Sequence, residues 1–161
     1  AAYLLDRAAD DLVGPGAGAD DATVANKLRI VGEAVARART LTDPVDAVAS
    51  ICGFEIAAMA GFFAEAAARG RTVVLDGVIA TTAALLAERE APGSRDRFLA
   101  AHRSTEPTHD ALLAALELEP LLDWNLRLGE GSGALLAMPM LDAAAAMVGE
   151  MATFADLGIG G

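Results

Sequence analysis

Residues 71–90 read RTVVLDGVIATTAALLAERE, and this stretch decides the fold class. Thr72-Val73-Val74-Leu75 is a compact β-branched run behind Gly70, and it reads as a strand. Asp76-Gly77 ends the strand, and Val78 to Glu90 is helical in pattern. A strand apolar at every position, followed at once by a helix, is the repeating unit of a parallel sheet covered on both faces.

The flanking sequence extends this alternation. Upstream, Phe54 to Arg69 is apolar nearly all round and reads as a buried helix stopped by Gly70. Asp43-Pro44 starts a short helix that Gly53 closes, with Pro at the first helical position, where its missing N–H costs nothing. Val24, Leu28, Val31 and Val35 recur at helical spacing up to Ala38, and Asp20 and Asp21 are the N-cap candidates. Before them lies a glycine-rich loop, Val13 to Gly18, and Ala1 to Leu12 reads as the tail of a helix. Downstream, Pro92-Gly93 breaks the chain, and Phe98 to His102 reads as a second short buried strand. A polar loop, Ser104 to Pro107, leads into a helix from Thr108 to Leu116. Asp123 to Leu128 is a third strand, Gly129 to Gly133 a second glycine-rich loop, and Ala134 to Val148 an apolar helix that Pro139 is expected to kink. The fold expected is α/β, a parallel sheet with alanine-rich helices on both faces, because alanine lets helices approach a sheet closely.

Composition narrows the function. The chain has 161 residues, 12 Lys+Arg against 23 Asp+Glu, and a formal charge of −11. Nucleic-acid binding is excluded as a general mode, since phosphates are held by Lys and Arg that displace their counterions. With 54% apolar residues the chain is too hydrophobic to be a disordered acidic tail. Its single cysteine, Cys52, cannot form an internal disulfide, so a reducing cytoplasm is the expected location. One cysteine and two histidines make a zinc site improbable, and no metal is expected. No uninterrupted apolar run reaches the roughly 18–20 residues of a membrane span, because Pro139 and Asp142 interrupt the most apolar window, and no membrane partner is expected.

In parallel α/β folds ligands gather at the carboxyl ends of the strands. Four loops qualify: Gly14 to Gly18, Asp76-Gly77, His102 to Glu106, and Gly129 to Gly133. A glycine-rich loop ahead of a helix suits phosphate, because bare N–H groups and the helix dipole converge there; it is equally compatible with a tight turn. Lys27, on the helix after the first such loop, can reach an anion held at Gly14 and Gly16, or it can be simply solvated. Glu130 stands between glycines in an otherwise uncharged loop and can present one acid or base to a ligand, or lie exposed without function. Asp76 can bind a ribose hydroxyl or cap the following helix, and His102 at an apolar strand end suits a hydrogen-bonded core residue better than a catalyst.

Taken in order, VGPGAGADD (Val13–Asp21), GFEIAAMAG (Gly53–Gly61), VVLDG (Val73–Gly77), AHRSTEP (Ala101–Pro107), RLGEGSGA (Arg127–Ala134) and MATF (Met151–Phe154) carry a resemblance. The chain resembles the C-terminal part of the nicotinate-nucleotide:dimethylbenzimidazole phosphoribosyltransferase family, over residues 1–156. The resemblance implies a Rossmann-like α/β fold, no cofactor, a homodimer, and transfer of phosphoribose from nicotinate mononucleotide to 5,6-dimethylbenzimidazole. It implies that Glu130 is the general base and that Lys27 and Ser104 contact the substrate phosphate. Gly14, Gly16, Asp76, Gly77, Leu128 and Gly129 complete the expected substrate-binding set. The family has a Gly-Glu-Met-Gly-Ile-Gly-Asn-Thr-Thr stretch ahead of the helix that Ala1-Ala2-Tyr3 resembles, so the 161 residues are expected to be the C-terminal portion of one larger domain. Ala101, Val78, Ala80 and Thr108 stand where the family commonly has Ser, Phe, Ser and Gly. The alternative reading is a nucleotide-binding or degenerate homologue without turnover.

Overall fold

In the computed structural model, residues 1–16 and 18–158 are described. The helices are α1 (Ala2–Leu5), α2 (Asp21–Ala38), α3 (Pro44–Ala49), α4 (Phe54–Ala68), α5 (Val78–Glu90), α6 (Pro107–Leu116) and α7 (Ser132–Glu150). The strands are β1 (Val73–Leu75), β2 (Phe98–Ala100), β3 (His102–Ser104) and β4 (Leu122–Leu126). All pairings are parallel: β1 with β2, Val73 opposite Phe98, and β3 with β4, His102 opposite Leu122. The backbone continues through Ala101, whose N–H donates to Leu75 O and whose carbonyl accepts from Leu122 N–H. Residues 98–104 thus form one stepped central run, flanked by β1 along its first half and β4 along its second.

This corrects the second strand, which extends past His102 to Ser104 and changes neighbour at Ala101. The third strand lies at Leu122–Leu126, not at 123–128. Its pairing is irregular, with Ser104 opposite Leu126, and Asn125 takes φ +54°. Asp123, Trp124 and Asn125 are exposed, so β4 is an edge strand rather than a uniformly buried one.

The two faces of the sheet are covered by different helices. Val73, Leu75 and Phe98 join Phe63 of α4, Ala83, Ala84 and Leu86 of α5, and Leu112 and Leu116 of α6 in the main core. Ala83 and Ala84 are fully buried, and their small side chains bring α5 against its neighbours. Val74 points the other way, as strand alternation requires, and packs with Ala101, Leu122 and Ala137 of α7.

The helix expected to be buried is not, and the apolar helix at the end of the chain is exposed as well. In α4 only Ala60 and Phe63 are buried, while Phe54 is 96% and Phe62 66% exposed. In α7 only Gly133 and Ala137 are buried. An apolar helix surface records a preference for cover, not what supplies it. Among the described residues α7 is also the one helix long and apolar enough to cross a membrane by length and composition. It runs through Pro139 to Glu150 as one helix. The first twelve residues differ too: α1 has one turn and ends at Asp6, in the left-handed region at φ +50°, before a 3-10 turn at Ala9–Asp11. Leu12 then packs with Ala2 and Val35, which carries the first glycine-rich loop toward the sheet edge.

Candidate active site

The carboxyl ends of the strands bring the four loops together through a continuous set of contacts. Leu75 ends β1, so Asp76 leaves the sheet where the central run passes from Ala101 to His102. The Asp76 carboxylate reaches α7 rather than α5. Its Oδ2 accepts the Gly131 N–H at 3.1 Å, and its Oδ1 accepts Gly133 N–H at 2.8 Å and Ala134 N–H at 3.1 Å. Asp76 therefore caps a helix more than fifty residues away, and α5, whose N-cap is Gly77, has no side-chain cap. A carboxylate at a helix N-terminus satisfies orphan N–H groups and opposes the positive end of the dipole.

This cap changes the reading of the second glycine-rich loop. The N–H groups that make a helix start attractive to phosphate are already given to Asp76. Glu130 remains, exposed, at φ +63°, followed by Gly131 at φ +83°. Glu130 makes no ion pair among the described residues. Leu128 and Gly129 are exposed beside it, and their carbonyls accept from the hydroxyl and N–H of Ser132. Under the loop lies His102, 1% exposed, with Nδ1 3.7 Å from Asp76 Oδ1. A Cβ on Gly133 would sit 1.9 Å from that Nδ1, so only glycine permits α7 to start this close to the ring.

The first glycine-rich loop is built differently. Thr108 Oγ1 donates to Leu12 O, and Gly14 is wedged against the Glu106 carboxylate and Pro107, where a Cβ would meet them at 2.6 and 2.8 Å. Gly16 has φ +62°, and the Lys27 ammonium lies 3.4 Å from where its Cβ would be. The N–H groups of Gly14 and Gly16 have no protein acceptor among the described residues, although Gly18 and Ala19 donate to Pro15 O. Asp20 caps α2 by accepting Thr23 N–H at 2.9 Å, and hydrogen bonding to Thr23 lowers the pKa of this exposed carboxyl. Of this loop, Ala17 lies outside the described residues.

Between the loops runs a hydrogen-bond relay centred on His109, a residue the sequence pattern did not single out. Ser104 N–H donates to His109 Nδ1 at 2.9 Å, and His109 Nε2 lies 3.0 Å from Thr81 Oγ1, which donates to Gly77 O. With Nδ1 accepting, Nε2 carries the proton and donates to Thr81. Burial, aided by His102 and Arg103 and opposed by Asp110 and Asp76, lowers the His109 pKa to about 4, which keeps the ring neutral as this relay requires. Ser104 Oγ accepts Glu106 N–H at 3.3 Å and still has its own proton to donate. Gly77 leaves room at its Cα, with His102 Cε1 3.9 Å from a Cβ position. The pairing of His102 with His109, seven residues apart and the only histidines in the chain, was the sequence signal available for this relay.

The structure thus places Asp76, Gly77, Ser104, Leu128, Gly129 and Glu130 at the carboxyl ends of the strands and joins Gly14 to them through Glu106, with Gly16, further along the same loop, beside Lys27 of α2. Comparison with known proteins bears on what this edge does. A family profile described as Phosphoribosyltransferase matches residues 1–159. A protein of Mycobacterium ulcerans (strain Agy99) named nicotinate-nucleotide–dimethylbenzimidazole phosphoribosyltransferase is 51% identical over 149 residues, covering 92% of this chain and 42% of the relative. One of the same name from Ectopseudomonas mendocina (strain ymp) is 48% identical over 160 residues, covering 99% of this chain and 46% of the relative. The crystal structure of CobT from Thermus thermophilus superposes with a TM-score of 0.90 at 43% identity, covering 99% of this chain and 47% of that one. The chain spans about half the length of the curated relatives it matches. By profile, sequence and fold together, this chain belongs to the phosphoribosyltransferase family whose members include these nicotinate-nucleotide–dimethylbenzimidazole enzymes.

Proposed function

We propose that the chain is the C-terminal share of an enzyme that moves the phosphoribosyl group of nicotinate mononucleotide onto 5,6-dimethylbenzimidazole. One benzimidazole nitrogen attacks the anomeric carbon as the C–N bond to nicotinate breaks, and nicotinate leaves with the bonding electrons. The other ring nitrogen gives its proton to the Glu130 carboxylate, which cancels the positive charge developing on the new nucleotide. Attack opposite the leaving group inverts the anomeric carbon, so the products are nicotinate and α-ribazole 5′-phosphate. Lys27, the Gly14 and Gly16 N–H groups and the Ser104 hydroxyl hold the 5′-phosphate and fix the reacting carbon. Gly77, Leu128 and Gly129 give the sugar and base close access to the edge.

The observation that carries this reading is the occupied start of α7. With the Gly131, Gly133 and Ala134 N–H groups bound to Asp76 and the Ser132 N–H given to Gly129 O, the first turn of α7 is closed to an anion, and the loop ahead of it presents the Glu130 carboxylate. The net charge of −11 points the same way, since a nucleotide must be held by local donors against the overall field. A cytoplasmic homodimer is the assembly that fits this reading. The exposed apolar side of α7, with Leu135, Met138 and Val148, supports cover by protein.

The test is Glu130→Gln in the full-length protein. Product formation falls about 10²–10⁴-fold, the usual worth of a positioned base, while calorimetry shows nicotinate mononucleotide still binding. Turnover retained above about a hundredth of wild type contradicts the assignment. Wild-type binding of nicotinate mononucleotide without any product identifies a binding module instead.

A further inference from the structure

Glu130 and the residue after it both occupy the left-handed backbone region, which costs a non-glycine residue about 1–2 kcal/mol. The N–H that follows Glu130 is held by a side chain from the loop after β1, Asp76. We propose that Asp76 is a positioning residue for the Glu130 carboxylate, acting through the N–H groups of Gly131, Gly133 and Ala134. The inference rests on the reading of Glu130 as base.

The geometry is specific. Asp76 uses both oxygens: Oδ2 takes the N–H immediately after Glu130, and Oδ1 takes two N–H groups of the first turn of α7. Its side chain is mostly buried, and the buried His102 ring lies on the other side of the same turn. The turn is therefore held between a carboxylate that fixes its N–H groups and a ring that fixes how near Gly133 comes. Glu130 itself has no ion pair among the described residues to hold its carboxylate in place. Its direction is set by its backbone, and its backbone is set by Asp76.

Asparagine tests this with little change of shape. It keeps one acceptor, so either Gly131 or the Gly133 and Ala134 pair faces an amide NH₂, and the charge at the helix start is lost. In the full-length protein, Asp76→Asn lowers kcat about 10–100-fold, on the scale of a small misplacement of a reacting group, with KM for nicotinate mononucleotide changed less than about threefold. In a Glu130→Gln background the same substitution lowers kcat by less than about threefold, because the group it positions is gone. Gly131→Ala strains the turn from the loop side, where a Cβ meets nothing within 4 Å, and shows the same non-additivity. If Asp76→Asn does not fold, Asp76→Glu, which keeps the charge but moves both oxygens by one methylene, takes its place with the same two readouts. Full multiplication of the two kcat effects, or a rise in KM with kcat kept, overturns the positioning role and makes Asp76 an independent substrate contact. If Glu130→Gln alone leaves kcat intact, the base reading fails first and the inference falls with it.

Discussion

The two glycine-rich loops look interchangeable in the sequence and are opposites in the structure. In the 129–133 loop Asp76 takes the N–H groups of Gly131 and Gly133, and Gly133 rests on the buried ring of His102. In the 13–16 segment the N–H groups of Gly14 and Gly16 are unclaimed by described residues, and the nearest cation is Lys27. One loop is anchored and presents an acid. The other is held at Gly14 by Glu106 and Pro107, is open around Gly16, and presents donors. Glycine content reports only that backbone comes close to something. What it comes close to decides the chemistry.

The largest effect that separates them is on stability. Gly133→Ala puts a methyl 1.9 Å from Nδ1 of the buried His102 ring and costs about 3 kcal/mol. Thermal melting of the full-length protein shows this as a drop of several degrees, and an unchanged melting point means the second loop is not backed as described.

Next comes pH. His109 lies between the two loops, and its pKa is held near 4 against 6.5 when unfolded. As pH falls through 6.5 the unfolded chain takes up the proton first. Stability contributed by the neutral ring is complete above that pH and is lost toward pH 4, by about 3 kcal/mol in all. Denaturant unfolding between about pH 7 and pH 4.5 on wild type and His109→Gln measures it. The variant has a flatter dependence across that window, and equal slopes for the two contradict the buried neutral assignment.

Smallest is Gly16→Ala. The new methyl meets only the flexible end of Lys27 at 3.4 Å, so the cost is the left-handed backbone, about 1 kcal/mol. A loss as large as that of Gly133→Ala erases the contrast between an open and an anchored loop.

Much of the fold was legible. The strand-to-helix unit at 73–90 and helix α6 appear where the pattern places them, because apolar spacing, Pro107 and the glycine boundaries are local signals. The step at Ala101 was not legible, since a strand of constant polarity says nothing about when its neighbour changes. Nor was the exposure of α4 and α7, because apolar side chains look the same whether this chain or another surface covers them. In the site, Glu130 and Lys27 stood out by residue type and loop context. The partner of Asp76 did not: a cap to the following helix and a cap to α7 look identical in sequence. His109 was hidden because its role depends on Thr81 and Ser104, brought to it only by tertiary packing.

The division of labour between the loops is tested most directly by steady-state kinetics on two variants of the full-length protein, Glu130→Gln and Lys27→Ala. Glu130→Gln loses kcat by about 10²-fold or more with KM for nicotinate mononucleotide kept. Lys27→Ala raises that KM about 10–100-fold, the worth of one charge-assisted contact, with kcat kept. If both variants lose the same parameter, or if each loses the parameter assigned to the other, the two loops do not divide the work as their geometry indicates.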